Sequence, residues 1–65
     1  MKFTFTYEPT SWNSFYKPYY FIDNRRVSKG YFDYMISYCE FKRMNYNTSS
    51  LTCENNRYKS TFHYD

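Results

Sequence analysis

Apolar and polar residues alternate along the first segment of the chain, and this pattern predicts a β-strand. Between Lys2 and Glu8 every second residue is aromatic and the residues between them are polar. Pro9 is expected to end the strand, because proline cannot donate a hydrogen bond to a sheet. Residues 9–18 are interpreted as a loop. Its aromatic side chains could either fold back onto the core or belong to a binding surface, and they are Trp12, Phe15 and Tyr16.

A second strand is predicted over Tyr19 to Asp23, where apolar residues follow the second proline of the chain. Asp23 and Asn24 form a turn signal, since their short polar side chains tolerate positive φ. The three residues after this turn, Arg25 to Val27, are expected to pair back briefly with the second strand.

Apolar residues then recur at helical spacing. Ser28 is a good N-cap, so a helix is expected from about Lys29 to Tyr46. Gly30 in its first turn would cost about 1 kcal/mol relative to alanine. The residues predicted to be buried are Phe32, Met35, Ile36 and Cys39, with Arg43 continuing the line at the end of the helix.

The last third of the chain predicts a β-hairpin after a polar connection at 45–50. Its strands would be 51–54 and 57–64, joined by Asn55-Asn56, because asparagine readily visits the left-handed region. With that two-residue turn, Glu54 pairs with Arg57, Cys53 with Tyr58 and Thr52 with Lys59. One face of the hairpin then carries Leu51, Cys53, Tyr58, Phe62 and Tyr64.

The predicted order of elements is therefore β-β-α-β-β, which places the chain in the α+β class. The simplest architecture is a small antiparallel sheet with one helix packed on one face. The opposite face is expected to be solvated, and it would carry Lys2, Thr4, Thr6, Thr52, Glu54, Lys59, Thr61 and His63.

A chain of 65 residues makes one domain, residues 1–65, and its core is small. The chain contains 7 Phe, 10 Tyr and 1 Trp. Large rings help a small core, since each buries about 150–250 Å². So many rings cannot all be buried in so short a chain, and some tyrosines are expected at the surface, where tyrosine often anchors interfaces.

A second aromatic line runs along the predicted helix beside the buried one, at Tyr31, Tyr34, Tyr38 and Phe41. Burying both lines would need more protein than this chain offers. The second line is therefore expected to be partly exposed or to contact another molecule, either a partner protein or a second copy of the chain.

Basic residues cluster near both helix ends, within a formal net charge of +3. Arg25, Arg26 and Lys29 surround the helix start, where an anion could bind, and Lys42 and Arg43 lie near its end. These groups could contact phosphates while tyrosines stack on single-stranded bases. They could equally be ordinary solvated charges that keep an aromatic-rich protein dispersed.

Residues with catalytic or metal-binding chemistry are sparse, so no enzyme, cofactor or metal is expected. Cys39, Cys53 and His63 lack the short-range pairs that nucleate zinc sites, and no glycine-rich phosphate loop exists. Two buried thiols are favoured over a disulfide, which the sequence alone leaves open. A membrane span and a signal peptide are not expected, and the chain is interpreted as cytoplasmic.

Half of the chain consists of Phe, Tyr, Met, Ile, Asn and Lys, residues with A/T-rich codons. This bias is typical of small proteins from phages and other mobile elements. The sequence therefore suggests an interaction protein that blocks a larger host protein or nucleoprotein, in the manner of anti-CRISPR, anti-defence or host-takeover proteins. Two alternatives are a small nucleic-acid-binding protein and an assembly component that works as an oligomer.

Overall fold

The computed structural model describes residues 1–9, 16–54 and 57–65. The elements in these ranges are β1 (Lys2–Pro9), β2 (Tyr16–Ile22), β3 (Arg25–Val27), α1 (Lys29–Phe41), β4 (Tyr46–Glu54) and β5 (Arg57–Tyr64). The strands form one antiparallel sheet in the order β3-β2-β1-β5-β4. The predicted α+β class is confirmed. In the described ranges no helix is both long and apolar enough to cross a membrane.

Strand β2 begins earlier than the sequence predicts, because Tyr16 and Pro18 belong to it rather than to a loop. β3 pairs only with Tyr20–Ile22, so among the described strands the first half of β2 has β1 as its one neighbour. A proline is tolerated at such an edge because its missing N–H breaks no second ladder. The predictions for Trp12 and Phe15 lie outside the described residues.

The turn between β2 and β3 has positive φ at both central residues, 51° at Asp23 and 68° at Asn24. This is the signature of a type I′ turn, whose twist matches that of the strands it joins. The Asp23 carboxylate accepts a hydrogen bond from the backbone N–H of Lys2 at 2.9 Å, which ties the turn to β1. The predicted turn and the brief pairing of β3 are both confirmed.

Helix α1 ends at Phe41, five residues before the predicted end. Arg43 has a φ of 56° and its N–H donates to the carbonyl of Glu40, while the N–H of Met44 donates to that of Cys39. These two bonds form a Schellman motif, which closes a helix and turns the chain away. Arg43 therefore does not continue the buried line, and this part of the helix prediction was wrong.

The early helix end frees Tyr46 to start β4, which begins five residues before the predicted Leu51. The predicted hairpin register is confirmed, with Cys53 opposite Tyr58 and Thr52 opposite Lys59. A shift in register between Thr48 and Ser50 marks a bulge. Even-numbered residues of β4 therefore lie on one face of the sheet before the bulge and on the other face after it. The predicted Asn55-Asn56 turn lies outside the described residues.

The core lies between α1 and one face of the sheet, hereafter the covered face. Phe3 is fully buried, and its ring centroid lies 5.4 Å from Phe32, 5.3 Å from Phe62 and 5.6 Å from Tyr64. Cys39 is also fully buried, whereas Cys53 is an exposed free thiol, so the expectation of two buried thiols was wrong for Cys53. Contacts between aromatic rings thus form the centre of this small core.

Candidate interaction surfaces

An aromatic line faces outward from α1 and is hereafter called the aromatic stripe. Its members follow one another at intervals of three or four residues, which places them on one side of a helix. Phe32 and Cys39 each follow a member of the stripe in the sequence, so they lie on the adjoining side of the helix, and both are buried. The exposed fractions are 50% for Tyr31, 65% for Tyr34, 44% for Tyr38 and 82% for Phe41.

The stripe is exposed because α1 forms the outer layer of a two-layer fold. Its start is fixed by Ser28, whose Oγ accepts a hydrogen bond from the N–H of Tyr31 at 3.2 Å. That cap and the Schellman motif set the two ends of a helix of 13 residues. The helix is oriented about its axis so that Phe32 is buried against the sheet, and this orientation directs the stripe away from the sheet. Contiguous exposed aromatic side chains of this kind mark interaction sites more often than ordinary surface.

Basic residues flank the stripe at both helix ends. The Lys42 ammonium lies 5.7 Å from the centroid of the Tyr38 ring, a cation–π distance. Lys29 and Arg43 are exposed beside the first and last helical turns. These three cations lie at the two ends of the helix that carries the stripe.

The predicted cluster of Arg25, Arg26 and Lys29 is divided by the alternation of β3. Arg25 pairs with Ile22, whose side chain belongs to the covered face, whereas Arg26 pairs with Phe21 on the other face. The Arg26 guanidinium lies 4.6 Å from the centroid of the Tyr19 ring, also on that other face. Arg26 is therefore separated from the helix start, and the three cations do not form one anion site.

The face of the sheet opposite α1, hereafter the open face, has a polar groove of about 680 Å³ across β1, β5 and β4. Thr4 and Thr61 lie opposite each other in its floor, and they are only 6% and 5% exposed. The expectation that this face is simply solvated was therefore wrong for these two residues. The hydroxyl side chains that line the groove are Thr4, Thr6, Ser49, Ser50, Thr52 and Thr61.

The bulge in β4 shapes one wall of this open-face groove. The Ser49 hydroxyl donates to the backbone carbonyl of Thr61 at 3.2 Å, and His63 Nε2 lies 3.1 Å from the same oxygen. Because the one hydroxyl proton of Ser49 is used, His63 Nε2 must be the donor in that pair, which leaves Nδ1 unprotonated in the neutral ring. His63 is thus held as part of the groove wall.

The net positive charge of the molecule is concentrated on the open face. The chain has 9 Lys and Arg residues and 6 acidic residues. Four cations and four acids lie away from the open face, in the helix, the turns, the covered face or the chain end, and their charges cancel. The four cations are Arg25, Lys29, Lys42 and Arg43, and the four acids are Asp23, Asp33, Glu40 and Asp65. The other cations have the register of the open face, and they are Lys2, Lys17, Arg26, Arg57 and Lys59.

Sequence reasoning missed the open-face groove. Ser49 and Ser50 were assigned to a connection, because the bulge that brings them into the sheet interrupts the alternation of apolar and polar residues by which a strand is recognised. The alternation of threonine and lysine in β1 and β5 was the available signal, and it identified the polar face without indicating a concave site.

A second, more apolar groove of about 560 Å³ lies between α1 and β4, where Ile36 and Met44 meet Tyr46. The Tyr64 hydroxyl at its floor donates to Glu40 Oε1 at 3.2 Å. Burial raises the pKa of Tyr64, and the hydrogen bond to Glu40 raises it further. Burial likewise raises the pKa of the Cys39 thiol, which therefore lacks the character of a reactive thiolate.

Within the described ranges, no three His, Cys, Asp or Glu side chains come together as metal ligands. The fold and its surfaces define a small α+β domain with a helix layer on one side of an antiparallel sheet. Comparison of the chain with protein-family models, with curated proteins and with solved structures finds no match.

Proposed function

We propose that this protein is a non-enzymatic interaction protein that binds and blocks a larger protein through the aromatic stripe of α1. The observation that carries this proposal is the exposure of four large aromatic side chains on one side of one helix, between 44% and 82%. Tyrosine combines a large apolar ring with a hydrogen-bonding hydroxyl, and it loses little conformational entropy when it is buried by a partner.

The complementary surface on the partner would be an apolar cleft with an acidic rim. The rings would fill the cleft, as amphipathic helices do in hydrophobic grooves. Lys29, Lys42 and Arg43 at the helix ends would steer the approach and pair with the rim. A rigid helix end-capped by Ser28 and by the Schellman motif enters such a cleft with little ordering cost.

Occlusion is the mechanism that this arrangement supports, since the stripe offers contact area without catalytic groups. The composition of the chain favours a partner in the host of a phage or another mobile element, as for anti-CRISPR and other anti-defence proteins. A homodimer formed through the same stripe is the competing arrangement, because a small domain gains stability when it covers exposed rings.

The test compares the wild-type protein with the double variant Tyr34→Ser/Tyr38→Ser. Both tagged proteins are incubated with nuclease-treated bacterial lysate, and captured proteins are quantified by mass spectrometry. We expect a stoichiometric partner that the double variant loses, with a loss of affinity of at least about 100-fold if both rings are hot spots.

The matched control is Tyr34→Phe/Tyr38→Phe, which keeps both rings and removes only the hydroxyls. This control should retain the same partner. Thermal unfolding of the Ser variant should stay close to wild type, since both side chains are exposed. A large loss of stability, or capture unchanged by the Ser substitutions, would rule out the stripe as the interface. Sedimentation of the pure proteins would reveal a homodimer that dissociates in the Ser variant.

A further inference from the structure

The open-face groove has a row of positive and hydrogen-bonding side chains along its length. Residues on one face of a strand repeat every ~6.7 Å, so β5 presents Arg57, Lys59, Thr61 and His63 to this face at that spacing. Lys2 lies opposite His63 at one end, and its ammonium is held by Asn24 Oδ1 at 3.1 Å. The positive charge is therefore extended along the groove instead of being focused on one point.

An aromatic side chain lies in the same groove although it has no place in the core. Phe21 pairs with Thr4 on one side and with Arg26 on the other, and it lines the groove. Next to it on β2, the Tyr19 ring lies under the Arg26 guanidinium and 5.8 Å from the Lys17 ammonium. Flat rings next to cations are the surfaces on which unpaired bases stack.

The remaining lining consists of neutral hydrogen-bonding groups. Hydroxyls of Thr6, Ser50 and Thr52 face the groove between the cations, and hydroxyls of this type contact phosphate and sugar oxygens in nucleic-acid complexes. Glu8 and Glu54 are the two carboxylates of the described strands with the register of this face, and they lie opposite Lys17 and Arg57 in the strand pairing. An extended polyanion would thus meet hydrogen-bond donors along the groove, and the described residues that line it include no carboxylate.

We propose that the open-face groove binds single-stranded nucleic acid, with the backbone along β5 and bases stacked on Phe21. A compact ligand with one phosphate would use only one of the spaced cations, whereas an extended strand uses several at once. A duplex keeps its base faces stacked internally and cannot use the ring of Phe21 in this way. The site is independent of the aromatic stripe, which lies on the opposite side of the molecule.

The test measures binding of fluorescein-labelled 12-nucleotide single strands, one DNA and one RNA, by fluorescence anisotropy over a range of salt concentrations. We expect binding that weakens with salt, with a log–log slope of about −0.7 per phosphate contacted. Unlabelled duplex and a mononucleotide serve as competitors. The single strand should compete at least about 10-fold better than either of them at equal phosphate concentration.

Two charge variants with the same change in net charge locate the site. Lys2→Gln/Lys59→Gln should weaken binding by about 10-fold or more and reduce the magnitude of the salt slope by about 1.4, for two lost phosphate contacts. The matched control Lys29→Gln/Lys42→Gln removes two charges from the helix side and should change affinity by less than about 3-fold.

The stacking contact is tested separately with Phe21→Leu, which keeps an apolar side chain and removes the ring. This variant should bind about 5- to 10-fold more weakly with an unchanged salt slope. Amide chemical shifts on adding the strand should change in β1, β2, β4 and β5 and not in α1. The stripe variant Tyr34→Ser/Tyr38→Ser should bind the strand as well as wild type, so failure of either proposal is distinguishable from failure of the other.

The proposal would be overturned by no binding of either single strand at low salt, by equal losses in the two charge variants, or by equal competition from the mononucleotide. Equal competition by the mononucleotide would assign the groove to a small phosphate-bearing ligand instead of a strand. Preferential binding of duplex would also contradict it, because stacking on Phe21 would then have no role.

Discussion

The two faces of the sheet differ in how their buried residues are used, and the difference is clearest between the neighbours Phe3 and Thr4. Both are almost inaccessible, at 0% and 6% exposed. Phe3 contacts three aromatic rings beneath the helix, whereas Thr4 lies on a face that no second layer covers within residues 1–9, 16–54 and 57–65. Burial on the covered face provides stability, and burial on the open face forms the floor of a groove.

The charge follows the same division. Cations and acids balance around the helix, while the open face carries the excess that gives the chain its +3. Apolar contact is therefore available on one side of the molecule and electrostatic contact on the other. One small domain can thus present two surfaces of different chemistry, because α1 covers one face of the sheet and leaves the groove on the other face open.

The largest expected effect tests the covered face. Phe3→Ala should destabilise the fold by about 3–5 kcal/mol, since it removes a fully buried ring from the centre of the aromatic cluster. That is comparable to the total stability of many small domains, so we expect loss of dispersed amide signals in the NMR spectrum. The milder Phe3→Leu should remain folded with a reduced midpoint in urea.

The matched substitution on the open face is Thr4→Val, which keeps the shape and removes the hydroxyl. It should change the free energy of unfolding by no more than about 1.5 kcal/mol, the range for one hydrogen bond. Equal destabilisation by Thr4→Val and Phe3→Ala would contradict the distinction between the two faces, because the open face would then contribute to stability as a second core.

An intermediate effect is expected for Tyr64→Phe, which removes the hydrogen bond from Tyr64 to Glu40 on the helix side. At neutral pH the variant should be less stable by about 1 kcal/mol. The pKa of Tyr64 is raised in the folded protein by burial and by Glu40, whereas an unfolded tyrosine ionises near pH 10.

The sign of the pH dependence follows from this shift. Above pH ~10 the unfolded chain loses the Tyr64 proton before the folded chain does, so the wild-type protein loses stability as pH rises. The Phe variant lacks this contribution. The gap between the two urea midpoints should therefore narrow from pH 8 to pH 11, and a constant gap would show that Tyr64 does not contribute to the alkaline loss of stability.

The sequence predicted those elements whose signals are local and regular. β1 alternates strictly and β5 does so at most positions, and Asp23 and Asn24 mark a turn through their own conformational preferences. Ser28 fixed the helix start. In these places pattern, propensity and capping indicate the same structure, so the fold class and the covered face followed from them.

The element boundaries that were predicted wrongly lie where tertiary contacts, and not the local sequence, determine where an element ends. Nothing in the local sequence favours a left-handed conformation at Arg43, since arginine lacks the freedom of glycine there. The helix ends because Met44 packs on the core and Asn45 exchanges two backbone hydrogen bonds with Asp65. The open-face groove depends in the same way on the bulge near Ser49, whose position is set by pairing with β5.

The smallest expected effect concerns the helix layer that makes the two faces different. Gly30 lies in the first turn of α1, and a Cβ added there would meet no atom within 4 Å. Gly30→Ala should therefore stabilise the fold by about 0.5–1 kcal/mol through the lower entropy of the unfolded chain and the higher helix propensity of alanine. Urea unfolding followed by circular dichroism measures the change.

The adjacent variant Lys29→Ala is the control, with a smaller expected effect because lysine is already a good helix former. If Gly30→Ala left the urea midpoint unchanged, the first turn of α1 would be open before global unfolding, and the cover of the sheet would be less complete than the static structure indicates.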